Sequence, residues 1–270
     1  MSKPSVLAIL AAAGLLRAQE GQGGPKPGWP CIPGRAVDPA YLEISESTGG
    51  QLFLFQKSET AHMSVVMGAS YSHPATVLRA IGNLNGSRDF DFPVDSSITS
   101  LLVLASLQCH NSVQVTRPSG PELTAENSAL SVDLQAGRIL RVDQPEPGPW
   151  RIHLGGSGLF IVSVLAKSDV AIQKVAFSLE GGRSAPLPGV RQDLEAWISG
   201  EASNLRFQVV DAAGAGISVA AAMERAGDRT YRGFMTTQAP RFRILVMGRD
   251  ASGWPFQRMY PVLFHATPPK

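Results

Sequence analysis

The sequence predicts a mainly β protein: two tandem antiparallel β-sandwiches, the first jelly-roll-like and the second immunoglobulin-like, behind a short N-terminal α/β segment. Three observations predict it. From Val94 onward, apolar residues recur at every second position in short runs, the period of a half-buried strand. The 27 glycines and 20 prolines fall between those runs, where turns need them. After Asp169 about seven such runs fit within roughly a hundred residues, the size of an immunoglobulin-like domain.

The chain opens with Lys3 and an apolar stretch over 6–16, and Ala18 supplies a small residue before a cut. That pattern predicts a signal peptide over 1–18 and hence secretion, to a periplasmic or extracellular space. Residues 19–37 form a Gly/Pro-rich linker without periodicity. Asp38-Pro39 can start a helix, Asp as its cap and Pro in its first turn, with Gly49-Gly50 to end it. A short strand, Q-L-F-L-F over 51–55, follows, then helical spacing over 58–80 and a polar connection over 81–92. These make a helix–strand–helix unit over 38–92.

The first sandwich is expected over 93–168, with strands at 101–107, 112–117, 129–134, 138–143, 150–154 and 159–166. Its centre is V-D-Q-P-E-P-G-P-W-R-I-H-L-G-G-S-G-L-F-I-V-S-V-L (142–165). This reads as a β-hairpin, with Gly155, Gly156, Ser157 and Gly158 as the reversal. The second sandwich is expected over 169–268, with strands at 171–179, 192–198, 205–211, 217–223, 230–235, 242–248 and 256–264. It lacks the cysteine pair of antibody domains, so the assignment rests on pattern alone.

Composition excludes several functions. A charged fraction of 17% and a net charge of +2, with basic residues scattered singly, give no nucleic-acid footprint. No segment of the mature chain reaches membrane-spanning length. Two cysteines, Cys31 and Cys109, admit one disulfide or two free thiols, and count alone does not choose.

No catalytic constellation stands out. The histidines (His62, His73, His110, His153 and His265) show no metal-ligand spacing. Cys109-His110-Asn111 holds the residue types of a thiol protease, but such a triad is assembled in space, not in sequence. Asp89, Asp91 and Asp95 are too few for a calcium loop and suit a strand with one wet face. Asn85-Gly86-Ser87 is a glycosylation sequon. Of the four tryptophans, Trp29 lies in the linker and Trp150 and Trp197 sit in strand patterns and are expected in the core. Trp254, in S-G-W-P-F, is the candidate for partner contact. No enzyme, metal or cofactor is expected.

Particular stretches are similar to a known family. I-S-E-S-T-G-G-Q-L-F (44–53) looks like the closing helix and strand of a von Willebrand factor A domain. V-D-Q-P-E-P-G-P-W-R-I (142–152), S-G-L-F-I-V-S-V-L after it, R-P-S-G (117–120) and R-I-L-V-M-G-R-D-A-S-G-W-P-F-Q-R (243–258) resemble the segment that follows that domain in hemicentins. The resemblance implies an A-domain tail, two sandwiches, and an extracellular matrix or cell adhesion role. It does not extend to the metal site, since no D-x-S-x-S occurs in the chain. The expected function is therefore a secreted, non-enzymatic adhesion or assembly module. It would bind a protein or glycan at the cell surface through sandwich loops or edge strands. The alternative is a carbohydrate-binding module.

Overall fold

The structure, a computed structural model, describes residues 37–55 and 57–267. The expected signal peptide, nearly all of the linker, Trp29 and Cys31 lie outside the described residues. Among the described residues no helix is long and apolar enough to cross a membrane.

Helix α1 (Pro39–Thr48) forms where the cap predicts it: the Asp38 carboxylate accepts from the Ala40 amide at 2.9 Å, and Gly49 closes the helix at φ 72°. Residues 51–55 form no strand and pair with none among the described residues. Their apolar side chains explain this: Leu52 and Phe53 are buried against the sheet face rather than at its edge. A 3-10 turn (Lys57–His62) and helix α2 (Met63–Ser72) come next. The helix ends at the break that Ser72-His73-Pro74 makes in the helical spacing, since Pro74 cannot continue it, and the spacing beyond the break belongs to a strand instead.

From Ala75 the chain is strand, not helix and connection. The first sheet holds β1 (Ala75–Val94), β2 (Ile98–Thr116), β3 (Leu130–Leu134), β4 (Gly137–Asp143) and β5 (Gly148–Ser168), in the order β1-β5-β2-β4-β3. The expected hairpin at 150–165 is one strand of 21 residues. Its glycines do not reverse the chain; they lie in register with β1, Gly156 opposite Gly86 and Gly158 opposite Leu84.

What the glycines do is bend the sheet. Phe90 pairs with Ile152, and Phe160 lies eight residues further along β5, about 26 Å away in a straight strand. Yet the Phe90 and Phe160 rings are 5.6 Å apart. The strands therefore fold over, and their two halves face each other across one core. At the corner Gly86, Gly156 and Gly158 have φ of 108°, 143° and 89°, open to glycine and strained for other residues. A Cβ on Gly158 would also stand 2.8 Å from the Gln108 carboxamide oxygen.

The two halves differ on their outer faces. In one half the strands are apolar on both faces. Leu101, Val103, Ala105, Val162 and Val164 point into the core, while Leu102, Leu104 and Leu165 pack outward against Phe53, Val66 and Ala69 of the N-terminal segment. In the other half Phe90, Phe92, Val113, Val115, Trp150 and Ile152 point inward, and the alternate positions are polar.

The second sandwich has one sheet ordered β11-β12-β8-β6-β7 and one ordered β10-β9-β13-β14. The strands are β6 (Ile172–Leu179), β7 (Gly182–Ser184), β8 (Gln192–Ile198), β9 (Ala202–Val210), β10 (Ala221–Ala222), β11 (Glu224–Gly227), β12 (Thr230–Met235), β13 (Arg241–Asp250), β14 (Pro255–Met259) and β15 (Phe264–His265), which pairs with β13. Reading β6, β8, β12 and β11 as A, B, E and D, and β9, β13 and β14 as C, F and G, gives the immunoglobulin arrangement. Phe177, Phe242 and Phe264 meet in the core, Phe177 edge-on to Phe264 at 4.8 Å.

The two sandwiches share structure. Val210, Leu245 and Met259 complete the first core. Arg258, fully buried, pairs with Asp95 at 2.7 Å and donates to the Val170 carbonyl and the Ser168 hydroxyl, both at 2.7 Å. Glu46 on α1 pairs with Arg79 of β1 at 3.4 Å and with Arg243 of β13, all three buried. Burial pulls the Arg243 guanidinium down to about 10, against the opposing pull of Glu46.

Candidate functional site

The polar outer face of the first sandwich is built by alternation. With Trp150, Ile152, Phe90 and Phe92 committed to the core, Arg151, His153, Asp89 and Asp91 must face outward. Antiparallel register sets Asp89 opposite His153 and Asp91 opposite Arg151. Arg151 grips Asp91 with two hydrogen bonds, 2.6 and 3.1 Å, and lies 3.7 Å from Asp89. The Asp89 carboxylate and His153 Nδ1 are 2.6 Å apart. The Asp91 carboxylate, by hydrogen bond first and charge second, holds the Arg151 guanidinium above its ordinary value.

Across β2 the partner of His153 is Gln114, which also lines an adjoining groove of about 510 Å³. Glu59, Ser112, Glu122, Asp133 and Gln135 line it further. Arg138, itself buried, organises that groove. Its guanidinium reaches Asp133 at 2.7 Å and Glu122 at 3.2 Å and donates to the Val113 and Leu123 carbonyls. Glu59 accepts from the Gln135 amide at 2.6 Å. Face and groove together offer closely spaced acceptors and donors, already oriented by one another, to a polar partner.

Asp89 and His153 are two members of a triad geometry, but the residue across β2 from the imidazole is Gln114, which carries no nucleophile. Among the described residues no group of three or more His, Cys, Asp or Glu could hold a metal ion. Asp95 does not join Asp89 and Asp91, because it is buried on Arg258. Ser157 lies in β5 opposite Asn85, not in a turn. Cys109 lies in β2 opposite Ser157, while Cys31 is outside the described residues.

Trp150 is in the core as expected, its indole donating to the Glu146 carbonyl at 2.8 Å. Trp197 is not: β8 buries Leu194, Ala196 and Ile198, so Trp197 falls on the opposite face, half-buried under Lys174 at 4.8 Å. Trp254 is exposed in the β13–β14 turn, where Asp250 accepts from its amide at 2.8 Å. Sequence reasoning missed the groove on Arg138. The signal available was D-L-Q-A-G-R (133–138), a tight reversal that sets an acid and an arginine opposite each other on β3 and β4.

No curated protein matches the chain. Solved structures resemble it in part. A lipase, BlEst2 of Bacillus licheniformis in propeptide form, is 14% identical, with 77% of this chain and 48% of that one covered and a TM-score of 0.34. A DUF4785 family protein from Legionella pneumophila is 10% identical, with 74% and 66% covered and a TM-score of 0.38. The chain thus spans about half of the first of these and about two thirds of the second. One stretch matches a family model: residues 75–169, β1 through β5 with the candidate face upon them, resemble the hemicentin galactose-binding domain-like family.

Proposed function

We propose that the chain is a non-enzymatic binding module of hemicentin-like, extracellular adhesion type, whose first sandwich takes a carbohydrate on its polar face. The observation that supports this reading is the Asp89–Asp91–Arg151–His153 array beside the Arg138 groove, within the stretch that resembles a galactose-binding-like domain. Paired carboxylate and guanidinium groups match the alternating donors and acceptors of vicinal hydroxyls. Their mutual pairing limits the ordering that binding must supply. Secretion and the A-domain context belong to this proposal and rest on the sequence.

The test is a glycan array that includes galactose-terminated oligosaccharides, followed by calorimetry on any hit. The wild-type chain should bind a neutral oligosaccharide, and Asp91→Ala combined with Arg151→Ala should weaken it at least about tenfold. Silence across the array, or equal binding by the double variant, overturns the assignment.

A further inference from the structure

The second sandwich carries a groove of about 830 Å³ that the reading above does not use. Its charged lining consists of Arg206, Arg225 and Arg249, and no carboxylate lines it, although the chain has 22 acidic residues to 24 basic ones. The arginines come from separate strands. Arg206 on β9 lies opposite Ala222 of β10 and Met247 of β13, and Arg225 on β11 lies opposite Tyr231 of β12.

Two of the three are anchored by backbone oxygens. Arg249 donates to the Gly253 carbonyl at 2.7 Å, and Arg225 donates through Nε to the Gly227 carbonyl at 3.2 Å. The remaining guanidinium donors are left for a ligand. Among the described residues neither Arg206 nor Arg249 makes an ion pair, and Arg225 has Asp228 at 3.7 Å on an exposed rim. Apolar groups line the groove beside the arginines: Leu205, Met223, Tyr231 and Met247.

We propose that this groove binds an anionic polysaccharide, a chain of sugar rings bearing sulfate or uronate groups. A guanidinium fork matches such anions with two parallel hydrogen bonds. Tyr231, which lines the groove, supplies flat apolar surface for a ring face. Three arginines in a chain of net charge +2 are too few for the phosphate contacts of nucleic-acid binding. The site is independent of the first sandwich.

The experiment uses the full chain and fluorescein-labelled heparin, followed by anisotropy at low and physiological salt. Wild type should bind, more weakly as salt rises. The Arg206→Glu, Arg225→Glu, Arg249→Glu triple variant should lose at least about tenfold in affinity. The triple Gln variant, with an unchanged melting curve, should lose comparably, which separates lost charge from lost fold. Asp91→Ala with Arg151→Ala should bind heparin as wild type does, so failure of one site is distinguishable from failure of the other. No binding by wild type, undiminished binding by the triple variants, or equal binding of poly-glutamate or duplex DNA overturns the proposal.

Discussion

Strands β1, β2 and β5 each pass through two environments, and the contrast explains the molecule. On one side of the glycine corner their outward side chains are Leu102, Leu104, Ile161 and Leu165, roofed by α1, α2 and the extended stretch between them. On the other side the outward side chains are Asp89, Asp91, Gln114, Arg151 and His153, with no such roof among the described residues. A single sheet thus serves as an internal wall at one end and as a presenting surface at the other. The glycines that bend it mark the change.

The strongest way to break that contrast is to unseat the roof. Glu46→Ala would leave Arg79 and Arg243 facing each other without a counter-charge, and should cost about 3–5 kcal/mol in urea unfolding. Leu104→Ala, on the roofed half, should cost about 2–5 kcal/mol by the same measurement, through lost burial and a cavity. At the corner, Gly158→Val must find room beside Gln108 at a positive φ, and should cost about 1–3 kcal/mol.

A smaller effect depends on pH. His73, between α2 and β1, is held below its ordinary value first by burial and then by Arg141. Its ring lies between the Ser72 hydroxyl at 2.8 Å and the Ser100 hydroxyl at 3.0 Å. The unfolded chain therefore takes up the proton first. The stability contribution is full above pH 6.5 and declines as pH falls from there through the lower folded value. Urea midpoints measured across that window should fall in wild type and fall less in His73→Gln. Smallest of all, Asp91→Ala on the bare face should leave the urea midpoint unchanged within error, since exposed pairs contribute little. A large drop there would show that the face is a structural element.

The second sandwich was more legible in the sequence than the first. Residues 192–198 and 230–235 are strands as expected, because each is a single run with one buried face and turn residues at both ends. The first sandwich defeats the same rule twice. Its Gly155–Gly158 stretch has turn composition but bends a continuous strand, a choice fixed by the partners on β1 and β2 rather than by local preference. Residues 81–92 are polar because half of them face water, not because they lack a strand. The face itself could be read from Asp-Phe-Asp-Phe and R-I-H. The groove could be read only in part: the reversal at 133–138 pairs Asp133 with Arg138, but Glu122 and Val113 meet Arg138 only once the sheet is assembled.

The Glu46 carboxylate also imposes an order of events. On the ribosome α1 emerges before either sandwich, yet one of its two partners, Arg243, is made almost two hundred residues later. Leu52 and Phe53 do not wait so long, since Ile81, Leu102, Leu104, Ile161 and Leu165, which cover them, all belong to the first sheet. Chains truncated before β13 should consequently be clipped by proteases near α1, which lacks its Arg243 anchor, even where the first sheet has already closed over 51–55.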